Sequence, residues 1–166
     1  MNVEKQDFIE EKFVLLLNDL SAPAVGKWGK MNGQQMVEHV SDFFKISTGK
    51  LKFPLVTPVE QLPKYRKFLY NDKEFRENTK APVLPEEALP IRFANIKESI
   101  SDLNNEIKSF KDKFTADKTL VITHPVFGEL NYEEWVLLHY KHVTHHLKQF
   151  GLFGNLDGIK NIIPYK

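Results

Sequence analysis

The chain has 166 residues, a net charge of +1 and acidic and basic residues interleaved along its length, which is typical of one soluble globular domain. The absence of cysteine excludes disulfides, thiolate nucleophiles and cysteine-ligated metal or iron–sulfur sites. We find no basic stripe, signal peptide or membrane-spanning apolar run, so we expect neither nucleic acid nor membrane as a partner. The prediction is a single cytoplasmic domain, residues 1–166.

Two amphipathic helices are predicted in the first third of the chain. The first covers about residues 7–20, where apolar side chains recur at helical spacing. The second begins after Asn32, a good N-cap, and Gln35 three residues later can complete a capping box. Gly49 is a suitable stop for this helix.

The second helix carries a histidine on its inward face. On a helical wheel His39 lies with Gln35, Met36, Phe43 and Ile46, and it is therefore expected to face the interior. Glu38 projects away from this group, so we interpret it as a solvated surface residue. Asp42 lies nearer the face of His39; it either orients an imidazole or belongs to the surface.

Between residues 50 and 90 the helical periodicity disappears, and six of the nine prolines occur there. We predict a long irregular crossover with short helical turns, of which KYRKFLYN is one candidate. Because this segment can supply aromatic and basic side chains, it is the expected wall of any pocket.

The third helix has the clearest period, with apolar residues in steps of four and three from Ile96 to Phe114. The following TLVITHPVFGEL contains β-branched residues and a turn, which indicates a short extended piece. The fourth helix begins after Asn131, has Glu134 in the capping-box position and ends at Gly151. Four amphipathic helices with one long crossover predict an all-α four-helix bundle.

Four of the six histidines lie on the fourth helix, within LLHYKHVTHHLKQF. His139, His142 and His146 fall on its inward stripe, and His145 lies toward the edge. His142 and His146 are four residues apart, with Cβ atoms roughly 5–6 Å from each other, so that two imidazoles can converge on one ion. His39 supplies a third ligand if the second and fourth helices are neighbours. Such a site leaves coordination positions open to water or substrate.

Other interpretations of these histidines stay open on spacing alone. His139 with His142 or His146 is a rival ligand pair, and His145 either supports a ligand or is a polar group at the rim. His124, in THPVFG, is either a turn residue or a pocket histidine. In a metal-free interpretation the inward histidines are hydrogen-bonded core residues.

Two segments resemble the DinB/YfiT-like superfamily of four-helix-bundle metalloenzymes. They are WGKMNGQQMVEHV, residues 28–40, and HPVFGELNYEEWVLLHYKHVTHHLKQF, residues 124–150. The superfamily pattern has one histidine on the second helix, and on the fourth an HxxxH pair followed by a polar run that ends in glutamine. The resemblance implies the metal ligands His39, His142 and His146, and Gln149 matches the trailing glutamine.

The resemblance also implies a class of function. Characterised relatives suggest a divalent-metal-dependent transferase that uses a low-molecular-weight thiol, or a metal-dependent isomerase or hydrolase acting on a small electrophilic substrate. Three neutral imidazoles suit Zn²⁺, Ni²⁺, Cu²⁺ or Fe²⁺, and of these zinc or nickel is the expected ion. Homodimerisation is expected from the resemblance alone, and no catalytic residue is assigned. The alternative is a non-catalytic binding or stress-associated protein in which the histidines hold a structural ion.

Overall fold

The structure is a computed structural model that describes residues 2–155, and it is mostly helical with one small antiparallel sheet. The helices are α1 (Val3–Asp7), α2 (Phe13–Leu16), α3 (Gly33–Ser47), α4 (Leu62–Tyr70), α5 (Ile96–Ala116) and α6 (Tyr132–Gln149). The strands are β1 (Ile122–His124) and β2 (Gly128–Leu130), paired as a hairpin. The extended piece predicted between the last two long helices is therefore a two-stranded hairpin, which an all-α description omits.

The N-terminal helix is longer than its apolar pattern indicated. A π-helical turn at Phe8–Lys12 joins α1 to α2, and a 3-10 turn at Leu17–Asp19 follows. The side chain of Asn2 accepts a hydrogen bond from the backbone N–H of Lys5 and caps α1. The first turn was missed because it buries no residue, so that no apolar period marks it.

Both predicted capping boxes are present. The Asn32 side chain accepts from the Gln35 N–H at 2.9 Å, and the Gln35 side chain accepts from the Asn32 N–H at 3.0 Å. Asn131 and Glu134 make the equivalent pair at 3.0 and 3.1 Å. After α3 the chain turns at Gly49, whose φ of +73° favours glycine. These local signals fix where the two histidine-bearing helices begin.

The core lies where the long helices meet. α3 packs against both α5 and α6, and the N-terminal helical segment contacts α5 and α6 as well. Phe44, Leu103, Trp135 and Leu138 are among the fully buried side chains. Among the helices of residues 2–155, none combines the length and the apolar character needed to cross a bilayer.

The prediction that Glu38 is a solvated surface residue is wrong. Its side chain is buried and accepts hydrogen bonds from Gln34 (3.2 Å), Ser99 (3.0 Å) and the backbone N–H groups of Arg92 (2.9 Å) and Phe93 (3.3 Å). Burial alone would raise the pKa of Glu38, but these hydrogen bonds hold it below its ordinary value. The prediction failed because α3 packs on α5 through its polar face, which a one-sided helical wheel assigns to solvent.

The crossover is anchored on both histidine-bearing helices. The candidate KYRKFLYN falls largely within α4, which packs on α6, where Arg66 and Tyr70 both bind the carboxylate of Glu134. The chain then returns to α3, where the Arg92 guanidinium binds both carboxylate oxygens of Asp42 at 2.6 and 2.9 Å. The carboxylate of Asp42 is thus paired with Arg92, which follows the crossover.

Candidate metal centre

Three histidines from two helices meet in the interior. The Nε2 atom of His142 lies 3.0 Å from Nε2 of His39 and 3.1 Å from Nε2 of His146. One ligand atom of each residue lies within 4.8 Å of the other two. Metal–nitrogen bonds of about 2.0–2.1 Å put neighbouring ligand atoms roughly 3–3.5 Å apart, so this group could hold one ion.

The three imidazoles are uncharged at neutral pH. Burial lowers the pKa of His39 to about 4, with a smaller opposing effect of Asp42. Burial, together with the neighbouring imidazoles, also lowers the pKa values of His142 and His146 well below the ordinary value. A neutral imidazole is the form that binds a metal, so no proton has to be displaced near pH 7.

The three histidines differ in their exposure to solvent. His142 and His146 are 8% and 4% exposed, whereas His39 is only partly buried. His39 is therefore the most exposed member of the group.

Gln149 fixes the tautomer of one imidazole. Nδ1 of His146 lies 2.7 Å from Oε1 of Gln149, and Nε2 of Gln149 donates to the backbone carbonyl of Trp28 at 2.8 Å. Because the amide nitrogen is committed to a carbonyl, the amide oxygen faces the imidazole and accepts the Nδ1 proton. The lone pair of His146 is thereby placed on Nε2, the atom that faces the other two histidines.

The glycine-containing loop before α3 holds Gln149 in place. The backbone N–H of Lys27 donates to the carbonyl of Gln149 at 2.7 Å. A Cβ added to Gly26 would lie 2.9 Å from Cγ of Gln149, and one added to Gly29, where φ is +80°, would lie 2.7 Å from Nε2 of Gln149. Nothing local in the sequence shows that this loop contacts the end of α6, because the two segments are far apart in the chain.

Aromatic rings surround the histidines. The ring centroid of Phe43 lies 4.1 Å from that of His142, and Phe75 of the crossover lies 6.5 Å from His142. His145 is half-buried between Trp28, at 5.5 Å, and Phe75, at 6.0 Å. Phe75 of the crossover thus lies near two of the histidines, and His145 lies at the edge of the group.

His139 lies outside the group of three. It is fully buried, its Nε2 lies 2.8 Å from the hydroxyl of Ser47, and its ring stacks on Phe44 at 3.8 Å with an interplanar angle of 4°. Burial lowers its pKa well below the ordinary value. This is the environment of a hydrogen-bonded core histidine, and His139 is not a member of the group that could hold an ion.

His124 has a different role from the other histidines. It ends β1, and its Nδ1 accepts from the backbone N–H groups of Val126 at 3.0 Å and Phe127 at 3.3 Å. Burial lowers its pKa to about 3. Of the two interpretations of this residue, the structure supports the turn residue.

The fold and the histidines define a mostly helical protein in which two helices bring three neutral imidazoles together. The chain belongs to a family described as "Protein of unknown function (DUF1569)", whose model matches residues 17–151. The matched region contains all three histidines and Gln149. No curated protein matches the chain.

Proposed function

We propose that the chain binds one divalent metal ion through His39, His142 and His146 within a DinB/YfiT-like four-helix bundle. The observation that carries this proposal is the pair of Nε2–Nε2 distances, 3.0 and 3.1 Å, between imidazoles of α3 and α6. Zinc or nickel suits such a ligand set, since both ions accept neutral imidazole nitrogen.

The surrounding residues prepare the site for that ion. Gln149 holds the His146 imidazole with its Nε2 lone pair toward the other ligands, which removes rotational freedom before binding. The rings of Phe43 and Phe75 lie beside His142, which is buried, so that the site has aromatic neighbours on that side.

A metal-dependent transferase or hydrolase acting on a small electrophile is the function that this arrangement supports best. Three protein ligands leave positions at which a bound ion lowers the pKa of water or of a thiol. The chain contains no cysteine, so a thiol nucleophile in such a reaction comes from a low-molecular-weight cofactor. Removal of the ion by a chelator should abolish the activity, and activity that survives complete removal contradicts a metal-dependent reaction.

Metal analysis of matched variants tests the ligand assignment. We expect about one ion per chain in the wild type and its loss in His142→Ala. His145→Ala is the control, because His145 is on the same helix, next to a proposed ligand, and lies at the edge of the group. Equal metal content in the wild type and His142→Ala would show that the histidines are not the ligands.

The burial of two of the three histidines favours a second candidate, a non-catalytic binding protein with a structural ion. Cobalt substitution separates the two candidates, because the absorption spectrum of cobalt reports its ligands. A spectral change on adding a small thiol indicates an open position and supports the enzyme. An unchanged spectrum, with full cobalt occupancy, supports the structural ion.

A further inference from the structure

A cavity of about 540 Å³ lies at the C-terminal end of α3. Its apolar wall comes from two segments that meet there: Leu51, Phe53 and Leu55 of the crossover, and Leu120, Val121 and Ile122 leading into β1. None of the three clustered histidines lines it. The volume lies within the usual range of small-molecule sites, about 300–1,000 Å³.

Two lysines meet at one end of this cavity. A Cβ added to Gly49 would lie 3.7 Å from Nζ of Lys113 and 3.9 Å from Cε of Lys52, so both side chains converge over the glycine. One donor of the Lys113 ammonium binds the carbonyl of Thr48, which leaves two of its three donors for a ligand. Across the described part of the chain, no hydrogen bond or ion pair engages the Lys52 ammonium. The cavity is therefore cationic at one end and apolar along its length.

The apolar wall is unusually open to solvent. Leu51, Leu55 and Val121 are 36%, 37% and 46% exposed, although each is a large aliphatic side chain. Exposure of three such side chains at one cavity costs free energy, because their apolar surface stays in contact with water. A concave apolar surface with a few polar groups is the usual form of a ligand site. An occupant that covers this wall must also match the positive end.

We propose that this cavity binds an amphiphilic monoanion, an alkyl chain that ends in a carboxylate. The chain lies along the wall formed by Phe53, Leu55 and Val121, and the carboxylate accepts charge-assisted hydrogen bonds from Lys52 and Lys113. The occupant is a free amphiphile, because both lysines lie over one glycine beside a concave apolar wall. In a membrane-binding patch the cations spread over a flat surface instead.

Dodecanoate is the probe for this site, measured by titration calorimetry below its aggregation concentration. Dodecanol tests the need for the charge, and acetate tests the need for the chain. The variants are the double substitution Lys52→Ala/Lys113→Ala, and Val121→Glu, which places a carboxylate on an exposed part of the wall. Lys64→Ala, an exposed lysine on α4, is the matched control.

We expect saturable binding of one dodecanoate per chain, weakened about tenfold or more in the double lysine variant and in Val121→Glu. Lys64→Ala and the metal-ligand variant His142→Ala should bind like the wild type, so the result is independent of the metal site. Equal binding of dodecanol, full binding in both cavity variants, or the absence of saturable binding overturns the proposal. Vesicle binding or dimerisation that Val121→Glu abolishes, without binding of free dodecanoate, likewise overturns it.

Discussion

Replacing His124 by asparagine should flatten the acid dependence of stability. The Nδ1 atom of His124 accepts from the backbone N–H groups of Val126 and Phe127, and an asparagine Oδ1 can accept the same two hydrogen bonds without titrating. The variant loses the ring contacts with Phe43 and Trp135, so a lower free energy of unfolding at neutral pH is expected. The quantity of interest is how that free energy changes with pH.

The expected magnitude follows from the displaced pKa. Burial lowers the pKa of His124 to about 3 in the folded protein, whereas an unfolded histidine titrates near about 6.5. The unfolded state therefore binds the proton first, and stability that is present above about pH 6.5 is lost progressively as the pH falls toward about 3. Between about pH 7.5 and about pH 5 the loss due to His124 is about 2 kcal/mol. This figure depends only on the pKa of His124 in the unfolded protein, because the His124 imidazole stays unprotonated in the folded protein throughout that range.

Urea denaturation followed by tryptophan fluorescence measures this effect, with a chelator present so that metal binding does not contribute. The other buried histidines titrate in both proteins, so their contribution cancels in the difference between the two pH profiles. We expect the wild type to lose about 2 kcal/mol more than His124→Asn between the two pH values. Parallel profiles would show that the pKa of His124 is the same in the folded and the unfolded protein, which would refute the reasoning.

Three further predictions concern substitutions at Gln149, Gly29 and Glu38. Gln149→Leu removes the acceptor for the proposed ligand His146, so zinc affinity in a competition assay should fall roughly 10–100-fold. Gln149→Glu keeps an oxygen acceptor as a control, and unchanged zinc affinity in Gln149→Leu would contradict a supporting role of Gln149. Gly29→Ala strains φ and contacts the Gln149 amide, so both Tm and zinc affinity should fall. Gly49→Ala carries similar strain elsewhere and should lower only Tm. Glu38→Leu leaves buried donors unpaired and should cost roughly 3 kcal/mol in urea denaturation; a loss below about 1 kcal/mol would show that the carboxylate contributes little.

Local signals were sufficient to predict where the long helices begin and end. Asn32 and Asn131 accept from the N–H groups three residues later, and the predicted partners complete both capping boxes. The steps of four and three from Ile96 to Phe114 likewise fall within α5. Such signals act over one or two turns, so they can be recognised in the sequence without knowledge of the neighbouring elements.

The parts that sequence reasoning missed depend on contacts between distant segments. Glu38 is buried because Arg92, Phe93 and Ser99 supply most of its hydrogen-bond donors, and no periodicity within α3 indicates that. The support of Gln149 by Trp28 and Gly29 depends in the same way on a loop far away in the chain. The cavity near Lys52 and Lys113 arises only where the crossover meets the segment before β1.

By itself the sequence determined the helix starts, the inward orientation of His39 and the i, i+4 spacing of His142 and His146, because each depends on the geometry of a single helix. Only the tertiary structure decided which histidines meet. The packing of α3 against α6 brings His39 to within 3.0 Å of His142, while His139 is directed to Ser47 and Phe44. A helical wheel gives the direction of a side chain about one axis, and the relative position of two axes comes from the packing of the whole core.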